Sequence, residues 1–394
     1  MLSKKIAENL NRSSWIRAMF EEGEKLRGIH GADKVFDFTL GNPDTEPPDS
    51  IREAYKKMIN GTNPGIHRYM NNAGFVDVRE AVASQLSKEF GVALAAGHIV
   101  MTCGAAGGLN VVLKAILDPG DEVIILAPYF VEYMFYIDNH GGKPVVVNTS
   151  AEDFQPDANE IAAAVTAKTK AVIINSPNNP TGVVYSKQAL QSMAAALAEK
   201  EKEFNSTIYV ISDEPYNKIF YEDTPPPQIL DIFKNSFMIT SFSKSLSLPG
   251  ERIGYIAANP SMDSCKEIVD GLVFCNRTLG FVNAPALVQK VIAGSLDEGA
   301  AVEQYKEKRD ILYDHLVKLG FSCIKPEGAF YFFPQALIPD DVEFARAALK
   351  YNLLLVPGKG FGWPGCFRIS YCVSMKTIKD SFPAFEALVS EIRG

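Results

Sequence analysis

The sequence has no long unbroken apolar run, no surplus of positive charge and no cysteine or histidine spacing typical of a metal site. Each absence removes a class of function. Its 39 Lys and Arg stand against 47 Asp and Glu, a net charge of −8. A dedicated nucleic-acid or anionic-membrane binder needs a basic face and is disfavoured. The six cysteines (Cys103, Cys265, Cys275, Cys323, Cys366, Cys372) form no C-x-x-C pair and read as free thiols, not as a disulfide framework. Five histidines occur without an H-E-x-x-H spacing, so no metal is expected. The N-terminus carries early positive charge but no apolar h-region, which is not a signal peptide. The stretch from Phe90 to Leu113 lacks Asp, Glu, Lys and Arg. It is broken by Gly91, Gly97, His98, Gly104, Gly107, Gly108 and Asn110, so it is not a membrane span. Neither repeats nor low-complexity tracts are visible. A cytoplasmic protein is expected.

What is present is ample apolar material. The chain has 394 residues, 47% hydrophobic and 22% charged, enough for about two domains with real cores. Apolar residues at Ile16, Met19, Phe20 and Leu26 predict an N-terminal helix over Trp15–Arg27, a lid or dimer-packing element. The middle of the chain alternates short apolar strands (HIVMTC, DEVIILAP, PVVVNTS, KAVIIN, TIYVIS, SFMITS, RIGYIAA) with helical runs. This predicts an α/β fold whose mostly parallel sheet has helices on both faces. Several strands end in polar clusters: NSPNNPTG, SDEPY and SFSKS. Ligands of open α/β sheets bind beyond strand C-termini, so these clusters should converge. A smaller α+β domain, built from both chain ends, is expected over residues 1–43 and 300–394, with the large domain over 44–299.

Four segments follow in order: Asn178-Asn179-Pro180-Thr181-Gly182, Asp213-Glu214-Pro215-Tyr216, Ser241-Phe242-Ser243-Lys244 with Arg252, and Phe367-Arg368-Ile369-Ser370. With the turn CGAAGG at residues 103–108 they resemble the aspartate aminotransferase family, the fold type I enzymes that use pyridoxal 5′-phosphate. The resemblance runs from Gly41-Asn42-Pro43 to Phe367-Arg368. Each motif alone is weak or moderate; five in order are strong.

Lys244 is the centre. A lysine amine forms a Schiff base with an aldehyde only when neutral, which needs burial and nearby positive charge such as Arg252. The resemblance makes Lys244 the cofactor-holding lysine and the group that moves the Cα proton. Asp213, after an apolar strand, is implied to pair with the pyridine nitrogen. The competing reading is a helix-cap or turn aspartate before Pro215. Tyr216 and Asn179 are implied to bond the cofactor's phenolic oxygen, although Asn179 also reads as a turn former. The phosphate is implied to rest on Gly104, Ala105 and Ala106, where backbone N–H groups open a helix, and on Ser241, Ser243 and Arg252. Phe130 is implied to stack on the ring, worth about 0.5–1.5 kcal/mol; Tyr129 and Tyr133 are its rivals, as is a plain core phenylalanine.

Arg368 offers a fork to the substrate α-carboxylate, with the Gly41 backbone near it. Tyr69 resembles the tyrosine that reaches a neighbouring subunit's phosphate, which implies a homodimer. A branch of the family reads a distal carboxylate with a lysine in the phosphate turn, where this chain has Ala106. Another uses an arginine from the partner subunit, and Arg277 lies near that place. A surface arginine bonding loop carbonyls remains the other reading of Arg277.

The function these residues imply is transfer of an amino group from an L-amino acid to a 2-oxo acid such as 2-oxoglutarate, by a ping-pong mechanism. A carbon–sulfur β-lyase on the same fold is the alternative. A binding module fused to a DNA-binding domain finds no spare residues for that domain. A nicotinamide dehydrogenase lacks its G-x-G-x-x-G fingerprint.

Overall fold

Short, continuously apolar strands rich in β-branched residues call for a sheet buried on both faces. The computed structural model describes residues 2–12, 14–299 and 301–394, with the side chains of residues 11–20 and 32 left undescribed. Strand β1 (Phe36–Asp37) belongs to the smaller of two compact units. The larger unit, Pro43–Glu303 with Glu327–Ala329, holds β2 (Ile99–Thr102), β3 (Glu122–Ala127), β4 (Lys143–Asn148), β5 (Thr169–Asn175), β6 (Tyr209–Asp213), β7 (Ser236–Ser241) and β8 (Gly254–Ala258). These form one sheet in the order β2-β8-β7-β6-β5-β3-β4.

The faces separate by residue parity. Val123, Ile125, Ile173, Ile211, Phe237 and Ile239 pack on one side with helices Gly104–Ile116 and Cys265–Thr278. Ile124, Leu126, Val172, Ile174 and Val210 pack on the other with helix Lys187–Phe204. Burying each such side chain contributes roughly 1.5–3 kcal/mol. Helix Lys187–Phe204 starts where the Ser186 side chain accepts from the Ala189 N–H and stops at Asn205 in the left-handed region. Gly108 lets helix Gly104–Ile116 lie close to the sheet, since a Cβ there would stand 2.7 Å from Ile239 Cγ2.

One strand runs against the others. β8 is antiparallel to both β7 and β2. A parallel connection needs a crossover of about a dozen residues or more, usually a packed helix. The residues between β7 and β8 hold only the four-residue helix Phe242–Ser245 and the 3-10 turn Pro249–Glu251, neither long enough to pack along the sheet as a crossover helix, so the chain turns back. The start of β8, at Gly254, pairs with Ser241 at the end of β7 and Thr102 at the end of β2. Arg252 therefore arrives at the edge where the parallel strands finish.

The smaller unit comprises Met1–Asn42, Gln304–Pro326 and Phe330–Gly394. In it β1 pairs in parallel with β10 (Leu353–Leu354). β12 (Phe367–Ser370) is antiparallel to β9 (Tyr331–Phe332) and to β11 (Val356–Pro357). Helices Asp341–Leu349 and Met375–Arg393 and most of helix Val302–Lys318 complete it. Glu327–Ala329 interrupt it, because the Glu327 and Gly328 N–H groups bond the Gly182 carbonyl and the Ala329 N–H bonds that of Ile219. The N-terminal helix spans Ser14–His30; the side chains of Ile16, Met19 and Phe20, on which its expected apolar face rests, lie outside the described residues. No helix among the described residues is long and apolar enough to cross a membrane.

Candidate active site

The polar clusters at the strand ends meet. Asn175 and Asn179, Asp213 and Tyr216, and Ser241, Ser243 and Lys244 line one cavity of about 190 Å³ with Ala105, Ala106, Phe130 and Arg252. The whole lining belongs to the larger unit.

Asp213 ends β6 and is buried. Its Oδ2 accepts a hydrogen bond from the Tyr133 hydroxyl at 2.6 Å. Its Oδ1 is buried with no hydrogen-bond partner among the described residues, so the helix-cap reading falls. Asn175, at the end of β5, donates from Nδ2 to the Asp213 carbonyl at 2.7 Å and accepts the Asn179 N–H on Oδ1 at 2.7 Å. Burial pushes the Asp213 carboxyl up to about 7 against the lowering effect of the Tyr133 bond. Burial likewise holds the Tyr133 phenol well above its ordinary value, with the Asp213 charge adding to it. A buried acceptor of this kind is costly until a donor meets it. A protonated ring nitrogen supplies both a donor and a positive charge, and the site fits the cofactor on that observation.

Glu214, the next residue, is also buried; burial pushes its carboxyl up to about 8, against a 2.6 Å hydrogen bond from the Ser212 hydroxyl.

At the other group of donors, Gly104 opens helix Gly104–Ile116 with φ +72°. A Cβ there would come within 2.7 Å of Arg252 Nη2. Glycine is what lets the guanidinium lie against the helix start. Arg252 is itself left-handed, φ +53°, an arrangement that costs of order 1 kcal/mol or more and gathers at functional sites. Its Nη1 donates to the Pro249 carbonyl at 3.0 Å. A cation beside the exposed N–H groups of a helix start suits a phosphate. Burial raises the Cys103 thiol, with Arg252 opposing the shift.

Lys244 sits half-buried in the helix Phe242–Ser245. Ser241 and Ser243 beside it are buried. The turn after β5 is tied by Asn178, whose Oδ1 accepts from the Thr181 N–H and hydroxyl at 3.0 and 2.9 Å. Asn179 is thereby the residue of the pair that lines the cavity. Among the three candidate aromatics, Phe130 lines the cavity. Tyr133 does not compete for the ring: its hydroxyl is committed to Asp213, and its ring meets Phe130 edge-on at 5.5 Å. Tyr133 and Asn175 are the supporting residues that motif reading missed. Tyr133 shows as the second aromatic of FVEY, but no local pattern links it to an aspartate 80 positions away.

In the smaller unit, Arg368 on β12 is buried, its guanidinium 4.9 Å from the Tyr331 ring centroid and 4.8 Å from that of Phe361. Its Nη2 donates to the Thr39 carbonyl at 2.5 Å, two residues before Gly41. Tyr69 and Arg277 belong to the larger unit and do not line its cavity. Tyr69 is 92% exposed. Arg277 is exposed at the end of helix Cys265–Thr278, over the Phe274 ring at 5.3 Å.

A family model described as aminotransferase class I and II matches residues 33–382. An aspartate aminotransferase of Thermotoga maritima is 31% identical over 396 residues, 98% of this chain and 98% of the relative. A probable aspartate/prephenate aminotransferase of Aquifex aeolicus is 34% identical over 377 residues, 91% of this chain and 92% of its own. A crystal structure of an amino transferase from Eubacterium rectale matches with a TM-score of 0.96 and 38% identity, covering 100% of both chains. These similarities give the carbon–sulfur lyase alternative no support. The order of the motifs, the cavity they line and these relatives agree: the chain belongs to the class I and II aminotransferase family and is a pyridoxal 5′-phosphate-dependent aminotransferase of amino acids and 2-oxo acids.

Proposed function

We propose that this aminotransferase works as a cytoplasmic homodimer with shared sites, passing the amino group of an L-amino acid to 2-oxoglutarate in a ping-pong order, one oxo acid leaving before the other enters. The observation that carries the reading is a single cavity lined by Lys244, by Asp213 with its unpartnered oxygen, and by Arg252 against the helix start.

Pyridoxal 5′-phosphate, when bound, supplies the aldehyde that carries the amino group and a ring that draws electron density from the substrate Cα. The chain supplies the rest. Asp213 holds a negative charge toward the ring nitrogen and Tyr133 fixes its orientation. Lys244 Nζ would hold the aldehyde carbon; displaced from it by the substrate amine, it would take the proton from the substrate Cα and deliver it to that carbon. Asn179 and Tyr216 hold the phenolic oxygen, and Phe130 covers the ring. Arg252, Ser241, Ser243 and the N–H groups of Gly104, Ala105 and Ala106 hold the phosphate.

In this reading residues 44–299 are the cofactor domain. Residues 1–43 and 300–394 present Arg368, with the Gly41 backbone, to the substrate α-carboxylate. Tyr69 serves the phosphate of a second copy, and its exposure supports that role. Arg277 reads the distal carboxylate of a dicarboxylic substrate from the same neighbouring position. Its exposure and the aspartate named for the relatives support it.

The test is an absorbance titration of the cofactor-loaded protein with aspartate, glutamate, alanine, methionine and phenylalanine. The expected result is loss of the visible band with a dicarboxylic donor and its return on adding 2-oxoglutarate. A band unmoved by every donor, or ammonia released from a sulfur amino acid without an oxo acid acceptor, overturns the proposal.

A further inference from the structure

Outside the cavity, two fully buried amides take no part in the chemistry of the site. Asn276, in the last turn of helix Cys265–Thr278, is 0% exposed. Its Nδ2 donates to the Asn72 carbonyl at 2.8 Å and to the Met101 carbonyl at 3.4 Å. Its Oδ1 is buried without a hydrogen-bond partner among the described residues. The amide orientation is set by these neighbours, since two carbonyls require the donor end. Asn72 answers the bond, its Nδ2 donating to the Val282 carbonyl at 2.7 Å. The Val282 N–H in turn donates to the Asn276 carbonyl at 3.0 Å.

Val282 has φ +64°, a conformation that a β-branched residue adopts only when its surroundings impose it. Gln289, the second buried amide, accepts from the Phe75 N–H at 3.1 Å and donates to the Ala284 carbonyl at 2.8 Å. The Met101 N–H bonds the Ala73 carbonyl at 2.9 Å. The segment 72–75 is therefore strapped to Val282 and Asn276 through Asn72, to the end of β2 through Ala73 and to Gln289 on helix Ala286–Ile292 through Phe75. Two features flank this knot. Before it on the chain stands Tyr69, almost wholly exposed. After Met101 come Thr102, Cys103 and Gly104, the phosphate turn.

We propose that Asn276 is a positioning residue which, through Asn72, holds the loop bearing Tyr69 in the arrangement that lets Tyr69 enter the phosphate site of a second copy. The inference rests on the shared-site reading above. It goes beyond that reading by naming what aims the tyrosine. The geometry suits this role, because an exposed tyrosine keeps a definite direction only if the backbone behind it is held. A buried amide bonded across roughly 200 positions of sequence holds it without using exposed polar groups.

The experiment is a double-mutant cycle read as the dissociation constant of pyridoxal 5′-phosphate, with melting temperature and sedimentation recorded for each variant. Tyr69→Phe removes one hydrogen bond to an anion and should weaken cofactor binding about tenfold. Asn276→Ala should weaken it about fivefold or more, and the half-buried Asn72→Ala similarly. If Asn276 acts through Tyr69, adding Asn276→Ala or Asn72→Ala to Tyr69→Phe costs at most about twofold more. Fully multiplicative losses in both double variants overturn the proposal and leave the shared site standing. No loss in Tyr69→Phe alone overturns the shared-site reading itself. Should Asn276→Ala melt before binding can be measured, the Asn72→Ala cycle decides.

Discussion

At the Asp213 side of the cavity Tyr133, Asn175 and Asp213 are buried and bonded in a chain, with a single oxygen left over. At the Arg252 side the guanidinium is exposed on a left-handed backbone, braced by Pro249 and lying against a glycine. The contrast follows from what each must hold. A ring nitrogen is protonated or not depending on one neighbouring charge, and burial makes that charge decisive because the low dielectric strengthens it. A phosphate is an anion at any working pH. It needs several donors, and the exposed guanidinium among them stays hydrated at no cost until it arrives.

If the contrast is right, substitutions on the two sides fail in different ways. The largest effect is expected for Asp213→Asn. It should lower kcat by about 10³-fold, the scale of losing a placed charge that acts on the transition state, while cofactor affinity changes far less. Steady-state kinetics at saturating cofactor, set beside a binding titration, separates the two. Equal losses in both would erase the distinction.

Arg252→Gln is expected to do the reverse. It should raise the cofactor dissociation constant by about 30-fold, since it removes one charge-assisted partner of the phosphate. At saturating cofactor kcat should recover to within about threefold of the parent. A kcat that stays low however much cofactor is added would place Arg252 in the chemistry as well.

The smallest effect sharpens the Asp213 side alone. Its carboxyl, raised from 3.8 to about 7 by burial, binds a proton more tightly in the folded chain than in the unfolded one. Cofactor-free protein should therefore lose stability as pH climbs from about 4 through 7, by about 2 kcal/mol between pH 5 and 7. Glu214, pushed up to about 8 by burial, adds a loss of the same sign continuing above pH 7. Thermal melting of cofactor-free protein across this range should show the fall, and Asp213→Asn should reduce it to the part that Glu214 carries. Parallel curves for the two would mean that Asp213 is not the group responsible.

How much of this was legible beforehand differs by residue. Lys244, Asp213, Arg252 and Asn179 stand out because chemically capable side chains sit directly after apolar strands, and parallel strands deliver their ends to one edge. The gathering of NSPNNPTG, SDEPY and SFSKS around one cavity follows from that rule alone. The direction of β8 does not, because a short apolar run reads the same whichever way a strand points. It took the short link between β7 and β8 to reverse it, and that reversal is what brings Arg252 to the cavity. Tyr133 reads as one of three neighbouring aromatics until the fold sets its hydroxyl on Asp213. Asn72 and Asn276 carry no local signal at all.

Residue order is enough to specify the layer architecture and the identity of the reacting groups. Both depend on short-range pattern: side-chain periodicity along each strand and helix, and functional side chains at fixed offsets from strand ends. Which of those groups are tuned and aimed is settled only when the chain has folded. The proton affinity of Asp213 depends on burial and on a hydroxyl 80 residues away. The hold on the Tyr69 loop depends on amides bonded across about 200 residues. Electrostatic tuning and orientation arise from neighbours in space, and a linear pattern does not encode those distances.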